Sequence, residues 1–136
     1  MRVLVMHSSD KKIQQSAAAL KNALEQEGCR VDSMSSADAG SAPVSTAPYA
    51  LVCVVSGFKG WWKPQIPTEI DNLLKRATRL EGKTGAAFVQ AKIGSTKALK
   101  ALMGYMERQG VIVEDFGTLG GGKEAVEIAR RLKRLS

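Results

Sequence analysis

Five short apolar runs alternate with amphipathic segments along this chain of 136 residues, and that alternation restricts the fold more than any other feature. Strand-then-helix repetition implies a parallel sheet with right-handed crossovers and helices on both faces. Val3, Leu4, Val5 and Met6 form a continuous apolar run, as expected of a strand covered on both sides. Behind it, Ile13, Ala17, Leu20 and Leu24 recur at helical spacing until Gly28 stops them, and Ser9 or Asp10 is placed to cap that helix. A weaker second strand is expected over 30–34. The third, over 50–55, is the most hydrophobic stretch and therefore reads as central.

A second helix carries Ile70, Leu73, Leu74 and Ala77 on one face, with Pro67 suited to its first turn and Gly82 at its exit. The fourth strand falls near 85–89 and leads to a helix bearing Leu99, Leu102, Met103 and Met106, ended by Gly110. Val111, Ile112 and Val113 read as the fifth strand, before a last helix with Ile128, Ala129, Leu132 and Leu135 on its buried stripe. Residues 35–48, rich in Ser and Ala with Pro43 and Pro48, read as a surface connection holding at most one broken helical turn. No repeat or long linker interrupts the pattern, so residues 1–136 are expected to form a single α/β domain.

Charge narrows the partners. The chain carries 20 Lys and Arg against 13 Asp and Glu, a formal charge of +7. These charges are dispersed except for Arg130, Arg131, Lys133 and Arg134, which fall in the last helix, where cations complement the macrodipole. With no zinc-finger or RNA-binding signature, nucleic acid is not the expected partner. Cys29 and Cys53 are expected on strands two apart, roughly 9–10 Å from each other and too far for a disulfide. They read as buried thiols of a reducing compartment. The first residues lack a signal-peptide pattern and no run approaches the roughly 18 apolar residues of a membrane span, so a cytoplasmic protein without a membrane segment is expected.

Several chemistries find no support. There is no serine elbow, no Cys–His pairing and no zinc motif. Gly117 to Lys123 has P-loop spacing, yet Glu124 follows where a magnesium-binding hydroxyl is required, so ATPase or GTPase activity is not expected. His7 is the only histidine, at the end of the first strand.

In an open parallel sheet the ligand lies beyond the carboxyl ends of the strands, where strand order reverses. The relevant loops are 7–12, 56–63 and 91–96. The segment Val55-Ser56-Gly57-Phe58-Lys59-Gly60-Trp61-Trp62-Lys63-Pro64, followed by Ile70-Asp71-Asn72-Leu73-Leu74, resembles the third-strand loop and helix of flavodoxins and NADPH-dependent FMN reductases. Ile93-Gly94-Ser95-Thr96 resembles their fourth-strand loop. The resemblance implies a flavodoxin-like three-layer α/β/α fold with a five-stranded parallel sheet in the order 2-1-3-4-5. It also implies FMN as cofactor, in electron transfer or flavin-dependent reduction.

Carried onto this sequence, the resemblance puts Ser8, Ser9 and Lys11 at the phosphate end and stacks Trp61 or Trp62 on the ring. Gly57 and Gly60 then let the backbone approach, Ser95 and Thr96 offer hydroxyls or cap their helix, and Ser56, Phe58 and Gly94 complete the set. The chain also departs from that family. Its first loop, His7-Ser8-Ser9-Asp10-Lys11-Lys12, is shorter and has no glycine, and Asp10 would repel a phosphate. From the residues alone, phosphate binding and simple helix capping by Ser9 and Asp10 both stand. The fourth-strand loop lacks a second aromatic cover, and the net charge calls for an acidic protein as redox partner. The alternative is a flavodoxin-fold domain without flavin, a protein-binding or regulatory module with Trp61 and Trp62 at an interface such as a homodimer's.

Overall fold

The apolar runs become the strands of one parallel sheet. The structure, a computed structural model, describes residues 1–38 and 42–135. In chain order its elements are β1 (Arg2–His7), α1 (Lys11–Gln26), β2 (Arg30–Ser35), β3 (Val44–Ser45), β4 (Leu51–Ser56), α2 (Thr68–Arg76), β5 (Ala77–Thr78), β6 (Thr84–Val89), α3 (Ser95–Arg108), β7 (Ile112–Thr118) and α4 (Gly122–Lys133). The main sheet runs β2-β1-β4-β6-β7, every pair parallel. With the two short strands set aside, this is the expected order 2-1-3-4-5.

The central position of β4 follows from its composition, since all six of its residues are buried. Side chains alternate across the sheet. Val3, Val5, Cys53, Val55, Ala86 and Phe88 face a layer made by α1 and α4 through Ile13, Leu20, Leu24, Ile128 and Leu132. Leu4, Met6, Val52, Val54, Ala87 and Val89 face α2 and α3 through Ile70, Leu73, Leu74, Leu102 and Met106. The architecture is three-layered, α/β/α. Cys29 and Cys53 are both buried free thiols, and burial pushes the Cys53 thiol well above its ordinary range. Among the described residues no helix is long and apolar enough to cross a membrane.

Three expectations about elements are corrected. Residues 35–48 are not merely a surface connection: β3 pairs with β5 as a second, two-stranded parallel sheet, and Val44 and Thr46 are buried. The Thr46 hydroxyl donates to the Thr78 carbonyl at 2.6 Å, which anchors the segment (residues 39–41 lie outside the described residues). The helix expected to include Ala77 therefore ends at Arg76, because Ala77 is drawn into this pairing.

The fifth strand begins at Ile112 and extends to Thr118, beyond the expected 111–113. As the sheet's edge, β7 is covered incompletely, so it tolerates Glu114 and Asp115, which break the apolar run. On α3 the buried stripe is Ala98, Leu102 and Met106, while Leu99 and Met103 pack only partly against the core.

Candidate functional site

The carboxyl ends of β1, β4 and β6 converge where strand order reverses. The loop after β1 is only three residues long before α1 begins. Ser8 locks it to the loop after β4. Its N–H donates to the Val55 carbonyl at 3.1 Å, and its hydroxyl accepts from the Gly57 N–H at 3.1 Å and donates to Asp10 Oδ1 at 2.7 Å. A Cβ on Gly57 would sit 3.1 Å from Asp10 Oδ2, so the two loops meet this closely because residue 57 has no side chain. Ser56 is fully buried and turns its hydroxyl onto the Gly57 carbonyl at 2.7 Å.

Capping does not occur as the sequence suggested. Asp10 stands at the N-cap position of α1, but its carboxylate is engaged by Ser8, and among the described residues no side chain caps the helix. The first amides of α1 thus face the site without a capping side chain, at the positive end of the helix dipole. Ser9 is occupied elsewhere. Its N–H donates to Glu69 Oε1 at 3.0 Å, and its hydroxyl lies 3.0 Å from both Glu69 oxygens.

Glu69 belongs to the first turn of α2. Burial is the largest influence and pushes its pKa up, but the two bonds from Ser9 with the help of Ser36 and His7 hold the carboxyl below its ordinary range. The Ser36 hydroxyl is buried and makes no full hydrogen bond among the described residues. A carboxyl with a lowered pKa stabilises the fold above its unfolded pKa of about 4.3 and loses that contribution as pH falls through the lowered value. The melting temperatures of the wild type and Glu69→Gln should therefore converge below about pH 4. A gap unchanged from about pH 7 down to about pH 3 would show that the Ser9–Glu69 bonds contribute through geometry alone.

Between these loops lies a cleft of about 600 Å³. Ser9, Asp10, Lys11 and Lys12 wall one side, Gly57, Phe58, Lys59, Pro67 and Glu69 another, and Gln90 and Lys92 a third. Lys92 Nζ donates to the Phe58 carbonyl at 2.7 Å and lies 4.6 Å from the centre of the buried Phe58 ring. Beyond Phe58 the chain folds back on itself, with Lys59 and Gln65 exchanging both backbone hydrogen bonds at 3.1 and 2.9 Å.

Trp61 and Trp62 stand at the tip of that fold-back, each 65% exposed, with ring centres 5.7 Å apart and planes at 79°. Lys97 Nζ lies 5.2 Å from the Trp62 ring. Gly60 has φ +89 at the bend, and Gly94 has φ +96 at the N-cap of α3. A Cβ on Gly94 would come within 3.0 Å of the Trp61 backbone, so the loops after β4 and β6 touch here. Ser95 and Thr96 occupy the first two positions of α3 and neither caps it. Ile93, just before Gly94 in the chain, is exposed.

The residues assigned to the site from the sequence thus lie on three loops, or on the strand and helix ends that flank them. Ser8 and Ser56 have their hydroxyls committed to loop structure, Lys11, Gly57 and Phe58 line the cleft, and Trp61 and Trp62 are carried by its wall without lining it. Glu69 and Lys92 were not anticipated. An acidic residue in the first turn of a helix looks like a complement to the dipole. Nothing local indicates that Glu69 reaches a serine sixty residues away.

No protein-family model matches the sequence, and no curated protein matches it. Solved structures do. The chain is similar to oxidised flavodoxin 1 from Bacillus cereus, with a TM-score of 0.72 at 15% identity, over 99% of this chain and 96% of that one. It is similar to the two-electron reduced flavodoxin of Megasphaera elsdenii, with a TM-score of 0.69 at 18% identity, over 96% and 99%. The chain has the flavodoxin-like fold. A flavodoxin from the domain Archaea superposes with a TM-score of 0.64 at 18% identity, over 99% of both chains.

In flavodoxins FMN lies at the switch point between the first and third strands of the sheet, a position that falls between β1 and β4 in this chain. The residues present fit the two ends of that cofactor unequally. For a flat, mostly apolar ring they offer Phe58 in the cleft lining and the exposed Trp61, Trp62 and Ile93 on the loops after β4 and β6. For the phosphate they do not fit as they stand. The Ser9 donors already hold a carboxylate, and Asp10 adds a second one beside Ser8.

Proposed function

We propose that this chain is a flavin-binding redox domain that seats the isoalloxazine ring at the carboxyl edge of β4, against the Trp61–Trp62 tip. The observation that carries the reading is the placement of two adjacent, mostly exposed tryptophans on the loop after the central strand of a flavodoxin-like fold. When bound, a flavin supplies the electron chemistry, and the protein supplies binding, orientation and tuning.

Each part of the site has a task in this reading. Trp61 or Trp62 stacks on the ring and disfavours added electron density on it. Lys59 and Lys92, both lining the cleft, oppose that by setting a positive field. Gly57 and Gly60 keep the backbone close, and Ser95 and Thr96 present hydroxyls at the opposite lip. Lys11 and the uncapped amides of α1 form the end that would meet a flavin's tail, FMN being the form that the resemblance implies. The formal charge of +7 suits an acidic protein as electron partner.

The test is a visible spectrum of the purified protein followed by flavin titration read by tryptophan fluorescence. Saturable quenching is expected, and Trp61→Ala or Trp62→Ala should weaken the affinity by about tenfold, according to which ring stacks. A colourless protein with no quenching at high flavin concentration would overturn the reading.

A second reading, a protein-binding or regulatory module without flavin, is favoured by the filled Ser9 donors together with the exposure of both tryptophans. Under it the same substitutions would leave flavin irrelevant and would change self-association or partner binding instead.

A further inference from the structure

Ser9 lines the cleft, and Glu69 takes both its N–H and its hydroxyl at 3.0 Å. A carboxylate and a phosphate monoester are alike in this setting. Each is an oxyanion that accepts from a backbone amide and a hydroxyl at the start of a helix. Glu69 is held in its charged form there, with the buried Ser36 hydroxyl acting in the same direction. The chain has therefore filled the Ser9 part of its own anion seat, leaving only the first amides of α1.

We infer that Glu69 is a specificity-determining residue: its carboxylate stands where a ligand's phosphate would, so the cleft takes a flavin with an uncharged tail, riboflavin, in preference to FMN. This rests on the flavin-binding reading above. For FMN to use the seat, Glu69 must give up its bonds to Ser9, and a dianion must then lie near both Glu69 and Asp10. A ribityl chain asks for neither, because its hydroxyls donate to a carboxylate that stays in place. Lys11 and Lys12 line the same cleft and moderate the repulsion, but their flexible ammonium groups are strongly hydrated and do not replace the fixed donors that Glu69 holds.

The experiment is a fluorescence titration of the full chain with riboflavin and with FMN, for the wild type, Glu69→Gln and Glu69→Ala. The wild type should prefer riboflavin by about tenfold, the scale set by one unfavourable charge pair in a partly exposed site. Both substitutions should abolish or invert that preference, with FMN bound more tightly than by the wild type and riboflavin less tightly, since its hydroxyls lose a carboxylate acceptor. Inorganic phosphate should then compete with FMN in the variants and not in the wild type.

A wild type that prefers FMN, or a riboflavin preference that both substitutions leave intact, overturns the inference while the flavin-binding reading stands. Failure of every form to bind either flavin overturns the flavin-binding reading itself, and the inference with it. If circular dichroism shows that a variant does not fold, the wild-type preference between the two flavins decides alone.

Discussion

Phe88→Ala should destabilise the protein by about 3–5 kcal/mol, the range for emptying a fully enclosed aromatic site. Phe88 is completely buried in β6, in the layer that α1 and α4 cover. Its strand is held on both sides, with Phe88 paired to Val55 of β4 and to Gly117 of β7. Neighbours so constrained cannot collapse into the space, which is the condition for a cost near the top of the range. Urea unfolding would read it as a lower midpoint with an unchanged slope. A loss below about 1 kcal/mol would mean that the two sheet layers repack freely around β6. Function should suffer too, because β6 delivers Gln90 and Lys92 to the cleft.

Gly110→Ala is expected to cost about 2–4 kcal/mol, from two effects that add at one atom. The residue has φ +86, a left-handed conformation that disfavours any Cβ by about 1–2 kcal/mol. A Cβ there would also lie 2.8 Å from the Glu81 Cα, backbone that cannot swing aside as a side chain does. The approach is fixed by the Gly82 N–H, which donates to the Gly110 carbonyl at 2.8 Å and ties the turn before β6 to the turn before β7. Gly28 is the natural control, since its φ of +89 is similar but nothing lies within 4 Å of its Cβ position. Gly28→Ala should show only the conformational part, and equal losses at the two positions would remove the steric argument.

The sequence conveyed those parts of the fold in which burial shapes composition. β1, β4 and β6 are covered on both faces, so their residues form unbroken apolar runs that can be read directly. β7 lies at an edge, and Glu114 and Asp115 hide more than half of it. β3 and β5 are two residues each, too short for any periodicity, and their pairing links segments more than thirty residues apart.

The site divides in the same way. Trp61, Trp62, Gly57 and Gly60 could be picked out because residue type and position after the central strand already limit their use. The state of Ser9 and Asp10 was open because a serine–aspartate pair before a helix suits a cap and an anion site equally. In the structure Asp10 bonds Ser8 instead of capping the helix, and Ser9 bonds Glu69 sixty residues away. Only the packing of α2 against the first loop carries that information.

The most direct measurement is a pair of amide ¹H–¹⁵N spectra of the labelled protein, without and with saturating riboflavin. The expected result is a set of shifts confined to residues 7–12, 57–66 and 90–96, with the Trp61 and Trp62 indole signals among the most displaced. Shifts centred on the opposite edge, around Tyr49 and residues 79–84, or no shifts at all, would contradict flavin binding at the carboxyl edge of β4.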